Sequence, residues 1–333
     1  MAKAITLLSG GLDSILATKL MLEQGLEVEA VNFKTVFCNC TAKGKSCSAS
    51  KSAADELGIK LTVFEVSAEY FEVVKNPAHG YGSNLNPCLD CRIFMFKKAA
   101  EYMKKTGASF IVTGEVLGER PMSQRMDAMR IIERESGLDG LIVRPLSAKL
   151  MKPSVPEDQN MVDREKLLSI QGRSRKPQIK LAEELGINDY PCPAGGCLLT
   201  DPGFAGRMRD LMRHTPDFTI RDVQFLKLGR HFRLSSEAKL IVGRNHEENM
   251  KLLSMAQEDD FCFLPTQVKG PAGIGKGVFK EDLIHIASGI VARYSDGESD
   301  RQYLISHRRA SAQEPTGILT FAAKDDHLSV LRV

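Results

Sequence analysis

The stretch Ser9-Gly10-Gly11-Leu12-Asp13-Ser14 lies directly after the apolar run Ala4-Ile5-Thr6-Leu7-Leu8 and directly before Ile15-Leu16-Ala17-Thr18-Lys19-Leu20. A β-branched and leucine run, a turn of small residues and an apolar pattern at helical spacing predict strand, loop and helix in that order. Such a junction binds anions. Two glycines let the backbone approach a phosphate, the serine hydroxyls donate to its oxygens, and the new helix aims its free N–H groups at it. Asp13 alone would repel phosphates, so it implies Mg²⁺ between them, a hard cation that favours carboxylate oxygens. A Walker A loop is excluded, because no lysine follows the glycines. The plainer reading, an ordinary βα turn with a serine cap, leaves the second serine, both glycines and the aspartate without a reason.

The length of the chain fits two domains. Its 333 residues exceed what a single core usually serves. With 43% hydrophobic and 26% charged residues the composition is that of a soluble globular protein. No apolar stretch is long enough to span a membrane and the first strand follows no signal peptide, which points to the cytoplasm. The net charge of +3 says little, but the basic residues are unevenly placed: nine Lys/Arg against four Asp/Glu over 144–180, and ten against six over 205–254. Such a surplus suits a polyanion such as RNA, or a solvated helix face. Eight cysteines in a cytosolic chain argue for metal or sulfur chemistry rather than a disulfide framework.

Strands are predicted over 28–33, 60–66, 110–113 and 141–146, with helices over 50–57 and 92–105 and helical segments over 164–185 broken near Gly172. This alternation predicts an α/β fold with a doubly wound, mostly parallel sheet, whose ligand crevice lies at the carboxyl ends of the strands. The loop opening at Gly114 should then share a rim with the Ser9–Ser14 loop. The stretch 189–202 is too rich in Pro and Gly to form an element, and a boundary is placed after it. Residues 1–202 would form the first domain, and residues 203–333 a smaller α+β domain.

Cys88 and Cys91, at x-x spacing where a helix begins, suit two thiolates on one metal or cluster. Zinc, a redox dithiol and iron–sulfur all remain open from that spacing alone. Cys197, beside Gly195-Gly196, is the candidate third thiol, with Cys192 competing. Cys38, Cys40 and Cys47 form a possible second metal site or an exposed loop, and Cys262, in Phe261-Cys262-Phe263-Leu264, reads as core.

Ser-Gly-Gly-x-Asp-Ser after a first strand resembles the pyrophosphate loop of the N-type (PP-loop) ATP pyrophosphatases, of adenine nucleotide alpha hydrolase type. With Thr113-Gly114-Glu115-Val116-Leu117-Gly118, Ser123-Gln124 and Arg144-Pro145-Leu146, it is similar to the catalytic domain of tRNA 4-thiouridine synthetases. An Asn-Pro-Cys motif paired with a Gly-Gly-Cys turn also resembles the tRNA 2-thiouridylases. The resemblance covers residues 1 to about 200. It implies that Ser9, Gly10, Gly11, Asp13 and Ser14 hold pyrophosphate, that Phe33 and Gly114 border the adenosine, and that the cysteines deliver sulfur. Around Leu240-Ile241-Val242-Gly243-Arg244-Asn245 and Glu248-Asn249 the chain resembles the RNA-binding module of ribosome quality-control factors.

Two departures stand out. The 4-thiouridine synthetases carry a THUMP domain ahead of the loop, whereas here the loop starts at residue 9, so something else must hold tRNA. A CxxC with a remote cysteine is instead similar to thiolases that bind a [4Fe-4S] cluster through three thiolates, here Cys88, Cys91 and Cys197. The expectation is a cytoplasmic tRNA sulfurtransferase using ATP, Mg²⁺ and a sulfide or persulfide donor. A zinc-binding PP-loop enzyme akin to deazaguanine nitrile synthases is the alternative, as is a non-enzymatic RNA-binding protein that senses ATP.

Overall fold

The computed structural model describes residues 2–38, 48–190, 197–298 and 300–333. Cys40, Cys47, Cys192, Gly195 and Gly196, weighed above, lie outside the described residues. The chain divides into two compact units, Met1–Thr200 and Asp201–Val333.

In the first unit the elements run β1 (Lys3–Leu7), α1 (Leu12–Glu23), β2 (Glu27–Lys34), α2 (Ser48–Leu57), β3 (Leu61–Glu65), α3 (Ser67–Lys75), α4 (Cys88–Thr106), β4 (Phe110–Thr113), α5 (Met126–Ser136), β5 (Ile142–Val143), α6 (Val155–Asp158) and α7 (Lys176–Glu184). Among the described residues the strands form one sheet of order β3-β2-β1-β4-β5, every pair parallel. A parallel sheet needs both faces covered. Leu8, Leu12, Leu16, Phe110 and Val112 pack with Ala53 and Ala54 of α2 and Ala182 of α7 in one core. Ile5, Val31 and Ile111 pack with Phe96 and Met103 of α4 and Ile132 of α5 in the other. The strand order reverses direction between β1 and β4, so the loops after these two strands part to opposite faces and open the crevice at which such sheets bind ligands.

Two sequence expectations are revised. The last strand is two residues long rather than 141–146, because Arg144 turns into a buried ion pair and Pro145 has no N–H for a ladder. The 164–185 stretch holds only a short 3₁₀ turn, Arg164–Lys166, and α7.

The second unit contains α8 (Pro202–His214), α9 (Ile220–Phe225), β6 (Arg230–Arg233), β7 (Ala238–Val242), α10 (His246–Met255), β8 (Phe261–Pro265), β9 (Gly273–Gly277), α11 (Glu281–Arg293), β10 (Gln302–Arg309), β11 (Thr316–Phe321) and α12 (Asp325–Leu331). Its six-stranded sheet has the order β11-β10-β8-β9-β7-β6 and is antiparallel throughout. Ile290 and Val291 of α11 pack on Leu240, Phe263 and Tyr303 on one face. Phe225 of α9 and Leu252 of α10 pack on Ile241, Cys262 and Ile274 on the other, so Cys262 is a core residue.

Candidate functional site

The loop after β1 depends on two close approaches. Gly10 has φ +79°, and a Cβ there would lie 2.4 Å from the carbonyl carbon of Ala49 and 2.6 Å from the nitrogen of Ser50, in the first turn of α2. Gly114, just past β4, would place a Cβ 2.4 Å from the Asp13 carbonyl and 2.5 Å from the Ser14 nitrogen. The loops of β1 and β4 therefore touch backbone to backbone at the reversal point. Helix α1 starts from Gly11 with no side-chain cap, which leaves its first N–H groups to an incoming anion. The exposed Ser9 Oγ lies 3.1 Å from Ser14 Oγ and accepts the Gly11 N–H at 3.3 Å, so the hydroxyls line that same opening. Phe33, at the carboxyl end of β2, is half-buried and stacked on Phe64, with ring centroids 5.6 Å apart.

Asp13 sits in the first turn of α1, and its Oδ1 is buried with no hydrogen-bond partner among the described residues. Burial raises its pKa above the usual carboxylate value, against the pull of Arg175, the Gln178 amide and Arg120. Glu119 is raised too, by burial first and then by the charge on Asp13. A carboxylate with an unused oxygen beside cations and an uncapped helix start suits Mg²⁺. The sequence reading missed Glu119, Arg120, Arg175 and Gln178. Only the basic surplus over 144–180 hinted at Arg175, without placing it.

A buried ion-pair chain fixes the loop after β4. Glu115, 1% exposed, accepts from Arg92 Nε and Nη2 at 3.0 and 2.6 Å and from Arg144 Nε at 3.0 Å, while Arg144 also pairs with Glu133. Burial works against the Glu115 charge, yet Arg92 and Arg144 outweigh it and hold the carboxyl below the usual range. Arg92 directly follows Cys91 on α4, so this chain links the start of α4 to the crevice.

The thiols converge from three segments. Cys88 and Cys91 occupy the first turn of α4, where the Cys91 N–H donates to Pro87 O at 2.7 Å. Asp90 accepts the backbone N–H groups of Ala78 and His79 at 3.2 and 3.0 Å, pinning the 76–87 loop to the helix. Cys197 is brought in by Leu198, whose N–H donates to Phe37 O at 3.2 Å, and by Leu85, whose N–H donates to Leu199 O at 3.1 Å. Its own Sγ lies 3.7 Å from Phe37 O. The same turn brings Cys38, whose Sγ accepts from the Thr35 N–H at 3.4 Å, into the group. Burial pushes the Cys197 thiol up to about 12, opposed by the Leu199 N–H and reinforced by Cys91, Cys38 and Cys88. Cys91 is raised by burial too, against a hydrogen bond from Tyr70 and the nearby Arg92 charge. Buried Tyr70 rises well above its ordinary value through burial and then through Cys91.

Cys88, Cys91 and Cys197, the expected trio, are thus together, joined by Cys38, which the sequence had assigned to a separate group. Among the described residues no three of these side chains yet stand at metal-ligand spacing. The donor set nonetheless fits a soft metal or cluster. These are partly buried thiols close enough to raise the pKa of Cys197 through their charges, and a bound cation relieves that repulsion.

In the second unit several arginines of the basic 205–254 stretch, read above as suiting RNA or a solvated helix face, are committed to partners within the unit. Arg233 makes a two-point pair with Asp210 at 2.9 and 2.7 Å, shared by Lys239 at 2.7 Å. Arg244 pairs with Glu248, Arg207 donates to Leu226 O at 2.8 Å, and Arg230 lies over the Tyr294 ring. Arg209 and Arg213 are exposed on α8.

Residues 1–152 match the family described as thiamine biosynthesis protein (ThiI). Residues 229–330 match the family described as NFACT protein RNA binding domain. Among relatives, a tRNA-specific 2-thiouridylase MnmA from Stutzerimonas stutzeri is 24% identical over 285 residues, 78% of this chain and 74% of that protein. A probable tRNA sulfurtransferase from Methanosarcina mazei is 34% identical over 127 residues, 35% of this chain and 29% of that protein. Among solved structures, the U34-tRNA thiolase NcsA from Methanococcus maripaludis with its [4Fe-4S] cluster aligns at 15% identity and a TM-score of 0.34, over 67% of this chain and 70% of that one. Among the described residues no helix is long and apolar enough to cross a membrane.

Proposed function

We propose that this chain is an ATP-dependent tRNA sulfurtransferase that replaces a uridine carbonyl oxygen by sulfur. One observation carries the reading: the group of thiols begins one residue from Arg92, whose guanidinium grips Glu115 of the loop that packs on Asp13 and Ser14. A nucleotide crevice and a sulfur-binding site are thereby held on one rigid frame. A phosphate chain would receive the uncapped α1 N–H groups and the Ser9 and Ser14 hydroxyls, and adenosine would lie between Phe33 and Gly114. Asp13 would hold Mg²⁺, whose charge offsets that of the leaving pyrophosphate. Attack of the uridine oxygen on the α-phosphate releases pyrophosphate, and attack of sulfur at the activated carbon then releases AMP. Cys88, Cys91 and Cys197 would hold a [4Fe-4S] cluster, which leaves an iron open to bind sulfide. The second unit would hold tRNA, a role supported by its match to an RNA-binding family.

The test is tRNA-dependent release of pyrophosphate by anaerobically purified protein. Asp13→Ala should lower it by about a hundredfold or more through lost transition-state stabilisation, while leaving the fold intact. Near-normal release by that variant sinks the enzyme reading. Stoichiometric zinc without iron in the purified protein sinks the cluster and favours the zinc-binding alternative.

A further inference from the structure

The start of α7 lies beyond residue 152, where the match to the ThiI family ends, yet the fold carries it to the crevice. Helix α7 packs along α1. The chain leading into it is tied to the loop after β4: Leu117 and Gln171 form a parallel bridge, and the Gly172 N–H donates to Leu117 O at 2.7 Å. Ser147 closes the arrangement, its Oγ accepting the Leu117 N–H at 2.9 Å and donating to Ile170 O at 2.6 Å. Arg175 is therefore held at the N-terminus of α7, half-buried, with no side chain capping the helix.

Gln178 supplies the independent observation. In a segment where Lys176, Pro177, Ile179 and Lys180 are exposed, Gln178 is 0% exposed, and its amide, directed at the Asp13 carboxyl that it helps to hold down, reaches hydrogen-bond geometry with no group among the described residues. Burying an amide unsatisfied is costly, so a site that tolerates it is built for a partner that arrives later. The amide faces Asp13, whose Oδ1 is the other buried polar atom here with no hydrogen-bond partner among the described residues. The local charges nearly cancel, Arg120 and Arg175 against Asp13 and Glu119. If Mg²⁺ binds the carboxylates, the two arginines are left facing a polyanion.

We propose that the first turn of α7 is part of the triphosphate site, with Arg175 contacting the phosphate chain of ATP and Gln178 acting as a positioning residue for the Asp13 carboxylate. The inference rests on the reading of the crevice as an ATP site. It adds residues that the Ser-Gly-Gly-x-Asp-Ser motif does not contain, on an element separated from it by most of the domain. A cation and a second helix N-terminus there discriminate ATP from AMP, since only ATP carries the outer phosphates.

The experiment compares binding of a non-hydrolysable ATP analogue with Mg²⁺ and of AMP to the full-length protein by calorimetry. Arg175→Ala should weaken the analogue by about tenfold to a hundredfold, the range for removal of a charge-assisted hydrogen bond, and leave AMP unchanged. Arg175→Lys should restore part of the loss. Gln178→Leu should leave the KM for ATP nearly unchanged while lowering kcat, since it disturbs the group Asp13 holds rather than the nucleotide. Wild-type protein that binds the analogue and is matched by Arg175→Ala overturns this inference and leaves the ATP reading intact. Equal loss of analogue and AMP also overturns it, because that marks a purely structural arginine. Wild-type protein that binds neither nucleotide overturns both.

Discussion

Glu115 holds two arginines in a place where one of them has no route to water. Its side chain is 2% exposed and that of Arg144 3%, whereas that of Arg92 is 28% exposed. Glu115→Gln keeps the shape and removes the charge, leaving Arg144 with Glu133 alone. Breaking a buried pair from one side costs about 3–5 kcal/mol. Arg92 can swing toward solvent, so the lower part of that range applies, about 3 kcal/mol. In a unit of 200 residues, where each kcal/mol shifts melting by about 2–4 °C, that predicts a fall of roughly 6–12 °C. Calorimetry at neutral pH measures it, and the double variant Glu115→Gln with Arg144→Met should recover part of the loss, because no uncompensated cation then remains. The acid limb gives a second check. Glu115 is held below the usual carboxylate range, so its contribution is fully present above about pH 4.3 and is lost as pH falls through its lower folded value. The gap between wild type and Glu115→Gln should therefore narrow in acid. A melting shift under about 2 °C, or a double variant that loses the sum of the two single losses, refutes the account of Glu115 as the support of this loop.

Other outcomes follow from the same geometry. Cys197, at about 12, and the raised Cys91 are protonated at neutral pH, so metal loading should release protons and tighten as pH rises; loading without measurable acidification of a weakly buffered solution contradicts this. Gly114→Ala should abolish nucleotide binding, since its Cβ would sit 2.4 Å from the Asp13 carbonyl, whereas Gly206→Ala on α8 meets nothing within 4 Å and should bind nearly as wild type; equal affinities for the two variants would refute the close approach. Arg209→Ala with Arg213→Ala should weaken tRNA binding and lower its salt slope by roughly one unit for each phosphate no longer neutralised. Arg233→Ala should instead lower the melting temperature, because Asp210, held down at about 2, would lose its two-point partner and keep Lys239 at 2.7 Å and His214 at 3.9 Å. Unchanged melting together with a flattened salt slope for Arg233→Ala would reverse that assignment.

The parallel sheet was legible because its signals are local. The run ahead of Ser9, the glycines ending α1 and α2, and the β-branched residues of β2 and β4 each specify an element without distant partners. Helix α5 could have been read from its pattern, since Ala128, Met129 and Ile132 fall on one buried face. The last strand was overestimated because nothing local says that Arg144 will seek Glu115, twenty-nine residues back. The site divided along the same line. Cys88 and Cys91 share a helix turn, and spacing found them; Cys38 and Cys197 meet through one carbonyl, Phe37 O, which no spacing reveals. Arg175 and Gln178 reach Asp13 only through helix packing, so they were invisible until the chain was folded.

The sheet order also bears on how the protein is made. Strand β1 is synthesised first but stands in the middle, with β2 on one side and β4 on the other. Its pairing with β2 closes a short crossover through α1, whereas Ala4 meets Phe110 only after about a hundred further residues have emerged. A nascent chain therefore carries one open, apolar edge on β1 until Phe110–Thr113 of the 1–200 unit has emerged, and closing so long a loop is slow. The Ser9–Ser14 turn can form early beside α1, but the backbone contact with Gly114 completes it only when β4 docks. The proposed nucleotide site thus stays incomplete until β4 has docked, and a chain arrested before residue 114 carries the motif without the site.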